Sequence, residues 1–191
     1  MNEHTPPLVD SLAGTFLVST PQMPDPRFEE HVIYICAHNG EGAMGLAINQ
    51  PNGAFSLEEI LRGANLPVPD ADLPSVHIGG PVELESAFIL YLSDYTAEHK
   101  LDVSETVSLT RETKVLEDIA YGRGPEQYLF VLGYTGWGPG QLERELSENG
   151  WLTVPANDNI IFQLSDESKW KAAAMHYGID IATFEDVIGY A

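Results

Sequence analysis

The chain has 191 residues, 43% of them hydrophobic and 20% charged, and nine basic against 29 acidic residues leave a formal net charge of −20. That length and apolar content suffice for a sizeable core and do not describe a disordered chain. The negative field repels phosphate backbones and anionic lipid, which disfavours direct nucleic-acid binding and membrane association.

Residues 1–11 open on Met1-Asn2-Glu3, with no basic start and no apolar run before Asp10. They read as a mobile tail rather than a secretory leader, with residues 12–191 as a single domain. Residues 15–18 form a short β-prone run that stops at Pro21, Pro24 and Pro26, which cannot donate to a sheet ladder. Residues 32–37 are apolar at every position, as a strand buried on both faces would be, and Asn39-Gly40 then signals a turn into a second strand over residues 43–48. Ser56 with Glu59 three positions later is a capping box, which predicts a helix from 57 to about 62 ended by Gly63. Residues 66–74 read as a proline-rich loop, and strands are expected at 76–78 and 87–92, either side of Gly79-Gly80-Pro81, and at 107–109.

Farther on, Val115, Leu116 and Ile119 share one face of a predicted helix over 114–121 that Gly122 can close. Residues 128–132 read as a buried strand entering a glycine-rich turn over 133–138, and Pro139 suits the first turn of a helix reaching about Glu148. A last strand is expected over 159–163, and a helix over 169–177 capped near Asp166 and closed by Gly178. The longest apolar runs, 32–37 and 87–92, are far shorter than the ~20 residues of a membrane-spanning helix.

Four blocks stand out: Asp25-Pro26-x-Phe28; His38-Asn39-x-x-Gly42-Ala43-Met44-Gly45-Leu46-x-x-Asn49-x-Pro51; Gly79-Gly80-Pro81-Val82; and Gly133-Tyr134-x-Gly136-Trp137-x-x-Gly140-Gln141-Leu142-Glu143-x-Glu145. Their order and spacing resemble the YqgE/AlgH family over about residues 12–191. The resemblance implies an α+β fold with a mixed, mostly antiparallel sheet that splits and curls into a partial barrel flanked by helices. It implies no established activity, although some members are named as regulators of exopolysaccharide genes. Where the family pattern carries basic groups, this chain has Gln50, Tyr91 and Tyr190, so a site built on those groups is not carried over.

The candidate chemistry is sparse. The lone cysteine, Cys36, makes no internal disulfide and fits a reducing compartment, so the cytoplasm is the expected location. Cys36 and His38 lie two apart on one predicted strand and should share a face, where an imidazole can help deprotonate a thiol; the structural alternative is a buried, inert cysteine. Asp25, fixed between two prolines, either aims its carboxylate at a site or accepts hydrogen bonds within a turn. His38 and Asn49 bracket the hairpin, so Asp25, Cys36, His38 and Asn49 form one candidate cluster. Gly79, Gly80, Tyr134, Gly136 and Trp137 form a candidate loop site, where turn amides before a helix could meet an anion or the glycines could simply permit a tight turn. No Cys-x-x-Cys or His-Glu-x-x-His spacing occurs, so neither metal nor cofactor is expected. These features favour a non-enzymatic regulatory or interaction module with a protein partner. A small-molecule enzyme or ligand sensor on the Asp25/His38/Asn49 face is the alternative.

Overall fold

A computed structural model describes residues 10–179. Most of the expected tail and the Gly189-Tyr190-Ala191 terminus lie outside those residues. Among the described residues, nine strands form one sheet: β1 (Thr15–Ser19), β2 (Val32–Asn39), β3 (Gly42–Ala47), β4 (Val76–Ile78), β5 (Val82–Leu92), β6 (Leu101–Asp102), β7 (Val107–Thr110), β8 (Tyr128–Trp137) and β9 (Trp151–Pro155). Five α-helices among the described residues flank it: α1 (Leu57–Gly63), α2 (Thr113–Ala120), α3 (Gln141–Ser147), α4 (Asp158–Phe162) and α5 (Asp166–His176). The strand order is β6-β7-β5-β8-β3-β2-β1-β9, antiparallel throughout, and β4 adds a parallel pairing to β8. The chain is thus an α+β fold with a mixed, mostly antiparallel sheet that curls into a partial barrel.

The split is made on β8. Its first half pairs with β4 on one side and β5 on the other, and past Gly133, at φ +70°, Thr135 to Trp137 pair with β3 instead. One core cluster draws on both halves of the sheet and therefore fills the inside of the curl: Phe16, Tyr34, Leu46, Leu90 and Val131, closed by Ile161 of α4 and Trp170 of α5. Each half also buries its outer face. Leu17, Ile33, Ile35 and Trp137 pack with Leu142 of α3, while Ile89, Tyr91 and Phe130 pack with Val115 and Ile119 of α2. Burial on both faces is why residues 32–37 are apolar without alternation.

Three expectations are corrected. Residues 159–163 are not a strand: Asn157 accepts the Ile160 amide at 3.2 Å and starts α4. The strand they were expected to supply is β9, which pairs with β1 through Leu17↔Thr153. The glycine-rich segment after residue 132 is not a turn, since β8 continues through it to Trp137, and α3 begins at Gln141 rather than at Pro139. The capping box is present in full, with the Glu59 amide donating to the Ser56 hydroxyl and the Ser56 amide to the Glu59 carboxylate.

Candidate functional site

Cys36 and His38 do not share the face expected of them, because the β2–β3 ladder slips by one residue between Ile35↔Gly45 and Ala37↔Met44. The extra residue is Cys36, and a bulge of this kind reverses the alternation beyond it. Cys36 therefore points into the inner core beside Tyr34, while His38, opposite Ala43, faces outward toward α3. The Cys36 thiol is fully buried, its Sγ donates only to the Tyr34 carbonyl at 3.6 Å, and burial pushes its pKa far up. A thiol-specific disulfide reagent should therefore leave native protein unlabelled at neutral pH and label one thiol per chain in denaturant. Rapid native labelling would contradict the burial.

Both ring nitrogens of His38 are engaged. Nδ1 accepts the Leu12 amide at 3.0 Å, which leaves the proton on Nε2 to donate to Glu143 Oε1 at 2.8 Å. Glu143 is held below the usual carboxylate range, chiefly by a backbone amide and then by His38. Asp25 takes the turn role: it caps the short 3-10 turn Pro26–Phe28, accepting the Arg27 amide at 3.0 Å and gripping its guanidinium at 2.6 Å. The Arg27 side-chain hydrogen bond lowers its pKa. Asn49 is a stitch between strands, accepting the Val32 amide at 3.0 Å and donating to the Glu30 carbonyl at 2.8 Å.

Gly79 and Gly80 lie in the link from β4 to β5, and Tyr134, Gly136 and Trp137 lie on β8, so the second candidate group is a strand against a link rather than one loop. The Gly79 carbonyl accepts both the Ala47 amide at 2.8 Å and the Thr135 hydroxyl at 3.1 Å. The Gly138 amide is not free to meet an anion, because it is already donated to Gln141 Oε1 at 3.0 Å.

Members of the two candidate groups meet at a cleft of about 310 Å³ between the proline loop, the Pro81 link and α3. Asp25, Gly136 and Trp137 line it; Cys36, His38 and Asn49 do not. Its apolar wall is built by Pro24, Phe28, Pro81, Trp137 and Trp151, with the Phe28 and Trp151 rings edge-to-face at 5.7 Å. Glu145 and Glu148 of the α3 region complete the rim, and Glu145 accepts the Trp137 indole N–H at 2.9 Å and the Gln141 amide at 3.0 Å. Beside the cleft, the β5–β8 register breaks between Val82, which still pairs with Tyr134, and Ala87, leaving residues 83–86 as an arch that is exposed over 83–85. Glu83 turns at φ +48° there, and Arg111 braces the arch by donating to the Ser86 hydroxyl at 3.0 Å while its guanidinium sits 5.0 Å above the Phe88 ring.

Sequence reasoning missed one polar constellation, a buried network of His77, Asp166 and Lys169. Lys169 is 2% exposed and donates to the Ile48 carbonyl at 2.7 Å and to Asp166 Oδ1 at 3.0 Å, an oxygen that His77 Nε2 also meets at 2.9 Å. A different set of side chains, Glu98, His99 and Glu112, comes together at the surface, where the Glu112 hydrogen bond raises the His99 pKa.

A curled α+β half-barrel, split at a glycine on the strand that both halves share and carrying an aromatic cleft on its outer face, is the class that fold and site define together. The chain belongs to the AlgH-like family, whose model matches residues 16–182. It is 50% identical over 182 residues to the UPF0301 protein DP2218 of Desulfotalea psychrophila, covering 95% of this chain and 96% of that one. To a UPF0301 protein of Cereibacter sphaeroides it is 41% identical, over 94% of this chain and 99% of the relative. The solution structure of the AlgH protein from Pseudomonas aeruginosa superposes with a TM-score of 0.76 at 39% identity, with 97% of each chain covered. Protein DIP2367 from Corynebacterium diphtheriae shares the fold at a TM-score of 0.73 and 18% identity, over 96% of this chain and 94% of that one. Among the described residues, no helix is long and apolar enough to cross a membrane.

Proposed function

We propose that this chain is a non-enzymatic regulatory module of the cytoplasm that acts by docking a protein partner on the β5 arch and the cleft beside it. The observation that carries this reading is the arch itself: Leu84 is 53% exposed on a segment that leaves the ladder and that Arg111 fixes in place, and Val82, 36% exposed, stands at its foot. Ordering such a segment before binding lowers the entropic cost of association. Meanwhile the groups from which acid–base or nucleophilic chemistry would be built are spent internally. Cys36 faces the core, His38 ties residue 12 to α3, and Asp25 holds Arg27. The −20 charge argues against a nucleic-acid partner.

A second reading, a small-molecule sensor or enzyme, draws on the cleft, whose volume lies at the lower end for small-ligand sites. Co-purification of a tagged copy from its native cells at near-physiological salt, with proteins and metabolites identified by mass spectrometry, separates the two. The expected result is a stoichiometric protein partner that the Val82→Asp/Leu84→Asp variant loses. Both side chains are exposed, so each change should alter stability by only about 0.5 kcal/mol. A retained metabolite without a partner would replace docking with the sensor reading.

A further inference from the structure

We infer that the cleft between the proline loop and α3 receives a basic side chain, arginine or lysine, carried on an extended segment of the protein partner and flanked there by an apolar residue. The inference rests on the docking reading and names the chemistry of what docks. The walls are aromatic rings and prolines, Phe28, Trp137 and Trp151 with Pro24 and Pro81, while the charged rim groups are the carboxylates of Asp25, Glu145 and Glu148 and one cation, Arg27. That cation is held by Asp25 through three side-chain hydrogen bonds. The rim therefore keeps an excess of negative charge over aromatic walls, and the Arg27 guanidinium itself lies over the Phe28 ring, 5.9 Å from its centroid. A guanidinium or ammonium is the group that such a combination favours, by its attraction to ring faces and its hydrogen bonds to carboxylate oxygens.

The alternatives fit less well. An anion would face Glu145 and Glu148 directly. A purely apolar side chain would strip water from those carboxylates and return no hydrogen bond. Glu145 accepts one donor on each oxygen, and a carboxylate has room for about four, so it can take more. Glu148 accepts no side-chain hydrogen bond among the described residues. At about 310 Å³ the cleft holds one long side chain rather than a helix. Val82 lines the cleft at the foot of the arch and Leu84 stands on the arch, which gives the apolar neighbour of that basic residue its own contact. The acidic surface as a whole steers a basic segment toward the molecule.

The test uses the purified full chain, labelled with nitrogen-15 and titrated with the peptide acetyl-Leu-Arg-Leu-amide. The indole N–H signals of Trp137 and Trp151 report on the cleft, and that of Trp170, which donates to the Ser19 carbonyl under α5, serves as a remote control. The expected result is a saturable shift of the first two with Trp170 unmoved, a loss of the effect with acetyl-Leu-Gln-Leu-amide, and about two- to fivefold weaker binding to Glu148→Gln. Equal binding of the glutamine peptide, equal binding of spermidine, or shifts that never saturate would each overturn the inference. Docking fails separately, because it is read in cells: a partner retained by Glu148→Lys yet lost by Val82→Asp/Leu84→Asp would remove the basic-side-chain inference and leave the docking face in place.

Discussion

Replacing Gly79 by alanine should lower the unfolding free energy by about 3 kcal/mol or more, toward the upper end of what added volume costs in a packed interior. A methyl group built on Gly79 lies 2.4 Å from the Gly133 carbonyl oxygen, 2.6 Å from a Val131 methyl and 3.0 Å from Leu46. The first of these is backbone, so relief requires a strand to move. The residue sits where β4 ends and the sheet divides, with its amide donating to Leu132 and its carbonyl accepting from both Ala47 and Thr135. Moving it therefore disturbs β3, β4 and β8 together, and with them the link that sets Pro81 against the cleft. Gly53 is the control: nothing lies within 4 Å of a methyl group added there, so Gly53→Ala should change stability by no more than about 0.5 kcal/mol. Chemical denaturation of the two variants measures the contrast. A Gly79→Ala protein as stable as the parent would mean that the close approach of the two sheet halves is not what the packing implies.

How much of this was legible in the sequence follows from which signals are local. The β2–β3 hairpin was readable because Asn39-Gly40 and the flanking apolar runs act within a few residues, and α1 because its capping box closes over four. The Asn159–Phe162 stretch misled because Ile160, Ile161 and Phe162 suit a buried strand and a buried helix equally; the Asn157 cap decided between them. In the glycine-rich stretch after β8's bend, the composition signals a turn, but here each absent side chain has a different use. Gly136 takes its place in the ladder opposite Met44, and only Gly133 bends the strand through a positive φ.

The candidate site was legible as residues and not as an arrangement. Two residues apart on a strand implies a shared face, and the slip at Cys36 that cancels the implication for His38 is fixed by the partner strand, not by β2's own sequence. Asp25, Gly136 and Trp137 were singled out for separate reasons and meet at one cleft only because the proline loop is carried there by β1 and β2 while β8 crosses from one half of the sheet to the other. Lys169 was invisible as a buried group, since a lysine within the helical run Lys169-Trp170-Lys171 reads as a solvated position, and its partners stand three residues ahead of it and more than a hundred residues away.

That lysine yields the second large effect. Lys169→Met should cost about 3–5 kcal/mol, the range for removing one partner from a buried ionic contact. Methionine preserves most of the volume, so the loss isolates the ammonium, which ties the Ile48 carbonyl just past β3 to Asp166 at the start of α5. Burial lowers the Lys169 pKa, with the attraction of Asp166 working against it, so the folded protein holds this proton less tightly than the unfolded chain. Its contribution to stability therefore rises with pH between the folded-state value and the ordinary lysine value of 10.5. Asp166 has a dependence of the same sign in the acid range. Burial pushes its carboxyl up, but His77 and then Lys169 outweigh burial and hold it below 3.8. The stability it supplies is complete above that value and disappears as pH falls through the lower folded-state value. Lys169→Met should weaken this acid-side dependence, because Asp166 then keeps only His77 as a partner. In the double variant Lys169→Met/Asp166→Asn, part of the lost stability should return, since no half-buried carboxylate is left without its cation. A Lys169→Met protein as stable as the parent, measured by urea denaturation at pH 7 and pH 4, would show that α5 is held by Trp170 and its apolar neighbours rather than by the buried charge.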